Sequence, residues 1–357
     1  MKGLTSRIAL LIALSVVASF LGSCSTAPST PSWSGVSVVD GILYVGSQVG
    51  RVYALEAGNG AEVWQHPPAA ERAGIGGLWG RPAVLGDTLY IGSDNGQLYA
   101  LDVNTGSQRW TVSTGGGIVG DPVVADGKVF FGSRDHKIYA LDAVTGRKAW
   151  DFETRNWVWG RPAVAGGRVY VGSFDKTLYC LDANEGTEVW SFEAGGAIAG
   201  GAALGDDKVF FGSLDGKVYA LDIASGTKVW EFTAGRWFWA TPVVVDGTVH
   251  VGSLDETLYA LYAESGGVRW SFPAGGMIRA AVAIADGQLF LGTETGTVFA
   301  VDAATGQQLW QARPGKGIVT SPAVTDGTVY VSTLGDALYA LDAASGAQRW
   351  TVTPSKR

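Results

Sequence analysis

The chain has 357 residues, a net charge of −7 and only 17% charged residues, yet it carries 52 glycines and 14 tryptophans. An acidic body of this kind does not neutralise phosphates as nucleic-acid binding requires, and so much glycine and indole marks a chain built from turns and buried rings. Two cysteines, one of them close to the N-terminus, exclude a disulfide framework.

The N-terminal stretch reads as a targeting segment. Lys2 and Arg7 supply positive charge, and the apolar run from Ile8 to Phe20 is shorter than a comfortable bilayer span. The run Leu21-Gly22-Ser23-Cys24 resembles the lipobox of bacterial lipoproteins, which implies a signal peptide over 1–23 and acylation of Cys24 as the mature N-terminus. A plain secretory signal with an incidental cysteine is the competing reading. Residues 24–32, rich in Ser, Thr and Pro, then form a short tether, and 33–357 form one domain. Anchoring is expected through lipid alone, at the periplasmic face of an outer membrane or, without one, at the extracytoplasmic face of the cell membrane. Cys180 stands where sister repeats have Ala100, Ala140 and Ala220, as a small buried thiol would.

Beyond the tether the sequence repeats. Trp110, Trp150, Trp190, Trp230, Trp270, Trp310 and Trp350 are spaced by 40 residues, and Trp64 precedes Trp110 by 46 because of an insertion around Gln65 to Gly74. A period near 40 is that of a recurring supersecondary unit. Within one unit, Pro122 to Ala125 is followed by Asp126-Gly127, then Lys128 to Gly132 and Lys137 to Leu141 alternate, and Thr145-Gly146 leads into Lys148 to Phe152. Four strands result, the first two joined by the Asp-Gly of a type I′ hairpin that recurs at Asp40, Asp246, Asp286 and Asp326. A lone four-stranded sheet cannot bury both faces, so the units are expected to stack radially as an all-β, eight-bladed β-propeller of antiparallel blades, monomeric, with its seam between the two chain ends.

The run Ala100-Leu101-Asp102, Gly106, Trp110 resembles the tryptophan-docking motif of propellers with pyrroloquinoline-quinone-type (PQQ-like) repeats, and the resemblance covers essentially all of 33–357. The eight tryptophans of the period are therefore assigned to docking between blades.

Comparing the chain with itself separates scaffold from site. The segment joining one blade's fourth strand to the next blade's first has an apolar middle residue (Leu78, Ile118, Val158, Ile198, Phe238, Ile278, Ile318) that should face inward. Its flanking positions vary: Trp157 and Trp159, Trp237 and Trp239, but Gly117 and Val119 or Ala197 and Ala199. Two positions on stand Arg81, Asp121, Arg161, Thr241 and Ser321. With Trp79, Arg155, Asn156 and Arg236 these make a Trp/Arg-rich set expected at the channel mouth, beside a mixed-charge rim of Arg134, Asp135, His136, Asp175, Lys176, Asp255 and Glu256. Two readings stay open: a binding surface, or rings that plug a wide channel.

Catalytic signatures are missing. His66, His136 and His250 fall in an insertion, a turn and a strand without metal-ligand spacing, and Asp94-Asn95-Gly96 reads as a hairpin turn rather than a calcium loop. No metal, cofactor or catalytic residue is expected. The quinone-dependent dehydrogenases that share the repeat carry a vicinal cysteine pair that this chain lacks. A lipobox ahead of such a propeller resembles the BamB family of envelope lipoproteins, which implies a non-catalytic scaffold for a protein partner, the barrel-assembly machinery. A receptor for a sugar or quinone at the same rings is the alternative, and a quinone-dependent dehydrogenase is third.

Overall fold

The computed structural model describes residues 33–71, 73–334 and 337–353, so the signal segment, Cys24 and the tether lie outside the described residues. Asp126 and Gly127 have φ of 48° and 71°, the two left-handed residues of a type I′ turn, whose twist suits the flanking strands. Val123–Ala125 and Lys128–Gly132 accordingly pair antiparallel, Lys128 opposite Ala125. Lys137–Asp142 and Lys148–Glu153 follow in order, and the same arrangement recurs so that the described residues form eight four-stranded sheets, blades 1 to 8. In each blade the pairing of third and fourth strands is interrupted by a bulge beside the docking tryptophan, which stands opposite a small residue: Trp150 faces Ala140 and Trp190 faces Cys180. Cys180 is a fully buried free thiol, and burial raises its pKa, as the alanines of the sister blades foreshadow.

The indole of each blade docks on the next. Trp150 Nε1 donates to Ala183 O at 3.1 Å, and its ring lies over Gly186, where an added Cβ would come within 2.5 Å of it. Gly186 has φ of 72°, a conformation and a contact that glycine alone meets without strain. The turn carrying it is held by Asp182, whose Oδ1 accepts the Asn184 and Glu185 N–H groups at 2.8 and 3.0 Å. These bonds keep its carboxyl below the usual range. Burying an indole contributes up to roughly 4–6 kcal/mol by area, as an upper bound.

A second lock lies nearer the axis. Leu78, Ile118, Val158, Ile198, Phe238, Ile278 and Ile318 are all fully buried, facing inward as expected. Each packs on a glycine in the second strand of the preceding blade; at Gly212 a Cβ would stand 2.5 Å from that of Phe238. The segments entering blades 2 to 8 are thereby clamped to their predecessors, whereas blade 8 carries Ser332 where the glycine stands.

The ring closes without exchanging a strand. Trp33–Val39 pairs with Ile42–Ser47 inside blade 1. Across the seam, Trp350 Nε1 and Tyr330 OH both donate to Ala57 O at 3.1 Å, and Ser332 Oγ donates to Ser34 O at 2.9 Å. Tyr330, Leu338 and Ala340 share an apolar cluster with Val36, Leu43 and Leu55. No helix among the described residues is long and apolar enough to cross a membrane.

Candidate functional site

Strands alternate in direction, so the connections between blades and the turns between second and third strands share one face. On it, Val158 points into the core while Trp157 and Trp159 point the other way, their rings parallel within 3° and 5.8 Å apart. Phe174, from the turn of the same blade, sets its edge 4.8 Å from Trp159. Trp239, which enters blade 6, reaches both Trp159 (6.1 Å) and Phe174 (6.3 Å). Blade 5 lies between and carries Ala197 and Ala199 at the matching positions, so no bulky side chain separates the rings. The Arg279 guanidinium then lies 5.4 Å over Trp239, a cation–π contact, and pairs through Nε with Glu294. A continuous ladder therefore crosses blades 4 to 7. Trp79 and Trp237 are half-buried and make no ring contact among the described residues, so the Trp/Arg set does not assemble as one cluster.

The polar positions divide differently from the sequence expectation. Asp121 Oδ1 accepts the Arg81 N–H at 2.7 Å, and Thr241 Oγ1 accepts the Gly201 N–H at 2.8 Å, so these two splint the neighbouring blade's backbone. Arg155 donates to Thr177 Oγ1 at 3.0 Å, and Asn156 Oδ1 accepts the Trp157 N–H at 2.8 Å, shaping the turn. Arg161 and Arg236 are exposed.

The mixed-charge rim needs correction. Asp135, Asp175, Asp215 and Asp255 each accept a bond from a tyrosine hydroxyl four residues on, at 2.6, 2.8, 2.6 and 2.8 Å. Asp135 and Asp255 also accept backbone N–H bonds from Gly115 and Gly235, at 2.7 and 3.0 Å. Burial and then the bond to Asp175 push the Tyr179 hydroxyl up to about 12. These carboxylates are committed to the scaffold. Asp94 is ion-paired with Arg134, and Asn95 Oδ1 accepts the Gln97 N–H at 3.0 Å, so this segment is the hairpin turn expected of it.

His136, Lys176 and Glu256, however, occupy left-handed conformations (φ of 70°, 76° and 71°) where sister turns use Gly96, Gly216 and Gly296. A side chain there costs about 1–2 kcal/mol, offset in part by the entropy glycine loses on folding. Replacing all three by glycine should raise stability by about 2 kcal/mol, read as a higher denaturant midpoint. An unchanged or lower midpoint would remove the strain argument.

Sequence reasoning passed over Phe174, Arg279 and Glu294. Phe174 departs from Asp94, Arg134, Leu214 and Leu254 at its repeat position, and Arg279 shares the position of Trp159 and Trp239. Phe174 and Glu294 share the turn position of Arg134, so the same self-comparison carried through every blade at these two positions flags all three.

A closed ring of eight blades, tryptophan-docked and varied mainly where the chain passes between blades, defines a repeat propeller with one specialised face. The chain belongs to the family described as outer membrane protein assembly factor BamB, whose profile matches residues 48–172, 152–235, 175–279 and 255–356. Among solved structures, BamB from Moraxella catarrhalis superposes with a TM-score of 0.70 at 21% identity, over 91% of this chain and 94% of its own. The computationally designed Ika8 protein gives a TM-score of 0.79 at 18% identity, over 88% and 96%. At these identities the structural likeness speaks for the fold. No curated protein matches the sequence at a significant level.

Proposed function

We propose that this chain is a non-catalytic scaffold of the cell envelope, anchored through Cys24, whose Trp/Arg face holds a protein partner in the assembly of outer-membrane proteins. The observation that carries the reading is the ladder Trp157, Trp159, Phe174, Trp239 and Arg279 beside the unstacked, half-buried Trp79 and Trp237. Rings and arginines of this kind supply binding hot spots, and nothing in the repeat requires them there. The family membership adds the envelope context and the barrel-assembly machinery as partner. Against catalysis, the rim aspartates are held by tyrosines and backbone N–H groups, and the three histidines sit in separate blades.

The test separates binding from packing. Alanine at both Trp79 and Trp237, whose rings stack on no other ring among the described residues, should weaken binding to the purified soluble domain of the barrel-assembly protein at least tenfold, with thermal stability nearly unchanged. Alanine at Trp159 or Trp239 should also cost about 1–3 kcal/mol of stability, because the ladder packs on them. Full-affinity binding by the Trp79/Trp237 variant would take the face out of the reading.

A further inference from the structure

The sequence Trp-Gly-Arg-Pro occurs twice, at Trp79 to Pro82 and at Trp159 to Pro162, where the chain enters blades 2 and 4; the segment between them reads Val119-Gly120-Asp121-Pro122. The three are neighbours on the inner ring. A Cβ on Gly80 would lie 2.6 Å from Gly120 O, and one on Gly120 would collide with the Trp159 carbonyl. Arg81, Asp121 and Arg161 thus stand side by side at the mouth, whereas blades 5 to 8 carry Gly201, Thr241, Ala281 and Ser321 there. Blade 3 has Gly117 and Val119 where blade 4 has Trp157 and Trp159; the Arg134–Asp94 ion pair covers Gly117, and the half-buried Val119, Gly120 and Asp121 floor a shallow slot between the two Trp-Gly-Arg-Pro segments.

Among the described residues Arg81 and Arg161 form no ion pair, and Asp121 turns Oδ1 to the Arg81 backbone N–H instead. Arg81 Nε and Trp159 Nε1 are buried donors without an acceptor, one in each segment. Buried polar groups are seldom left so, and both stand in the segments that carry the two arginines. Arg81, Asp121 and Arg161 together carry a net charge of +1 in a chain of net charge −7, a local positive spot in an acidic surround.

We infer that this slot binds a carboxylate presented by the protein partner, an acidic side chain next to an aromatic one in an extended segment. Arg81 and Arg161 receive the anion through charge-assisted hydrogen bonds, and the indoles of Trp79 and Trp159 flank the apolar neighbour. The inference rests on the partner-binding reading of this face and names its chemistry.

Anisotropy of a labelled, end-capped peptide alternating Glu and Phe, added to the full-length protein, tests it. The Glu peptide should bind, its Gln counterpart at least tenfold more weakly, and Arg161→Met should lose about tenfold for the Glu peptide only. Arg161 is exposed, so that variant should melt like the parent, and Arg161→Lys should recover part of the loss. Equal binding of the Glu and Gln peptides, no binding of either, or full affinity in Arg161→Met overturns the inference. Displacement by benzoate at concentrations comparable to the peptide would assign the slot to a free carboxylate and likewise overturn it. If Glu and Gln bind alike while the Trp79/Trp237 variant still loses the partner, the carboxylate inference fails alone and the scaffold reading stands.

Discussion

Alanine at Trp350 should lower stability by about 3–5 kcal/mol, the range for truncating a large buried aromatic, and should open the ring at its seam. Trp350 covers Gly60 and donates to Ala57 O at 3.1 Å, the contact every blade makes with the next. What differs is covalent connection. At any other interface the chain itself keeps the two blades together; at the seam only side chains do, and once parted the ends must close a loop of nearly the whole domain to meet again. Trp190→Ala, which removes the same ring between blades 4 and 5, is the control. In native-state hydrogen exchange, Trp350→Ala should expose amides of blades 1 and 8 selectively, while Trp190→Ala raises exchange in blades 4 and 5. Uniform loss of protection around the ring in both variants would mean that the seam is no special point.

A second large effect is expected from acid. His250 occupies the position held by Tyr44, Tyr90, Phe130, Tyr170, Phe210, Phe290 and Tyr330 in the other blades, and its ring lies tilted against Trp270 with centroids 5.5 Å apart. Burial, reinforced by the Arg269 charge, depresses its pKa to about 4. The unfolded chain takes up this proton near pH 6.5 and the folded one does not until about pH 4, so the stability is full above 6.5 and falls as pH drops between the two. The loss amounts to about 3 kcal/mol by pH 4. His250→Phe retains the ring and removes the proton site, so its advantage over the parent should widen steadily from pH 6.5 to 4 in urea denaturation. A difference that stays constant with pH would show that the imidazole titrates normally.

Both effects arise from positions that the period itself marks. The 40-residue spacing of tryptophans identifies the blades, and Asp-Gly dipeptides such as Asp126-Gly127 specify the type I′ turns observed at φ of 48° and 71°. The apolar middle residues of the connecting segments, Leu78 to Ile318, were legible as inward-facing, because alternation along an extended segment is a local rule. The candidate site was legible only in outline. Trp157, Trp159 and Trp239 stood out because they break the repeat, but their union with Phe174 and Arg279 did not. Nor did the sequence separate free charges from committed ones. Asp175 and Arg161 look equally available in a string of letters, yet one holds Tyr179 and the other stands exposed.

The amino-acid sequence by itself determined the number of blades, the strand order, the turn type and the docking residues, since each depends on periodicity and on neighbours a few residues apart. The tertiary structure alone decided that Trp159 and Trp239 meet above the small residues of blade 5, that blades 8 and 1 join through side chains, and that Arg81 and Arg161 form no ion pair among the described residues. Those outcomes turn on which side chains face one another across segments 40 to 300 residues apart, and only the closing of the ring brings such segments within reach.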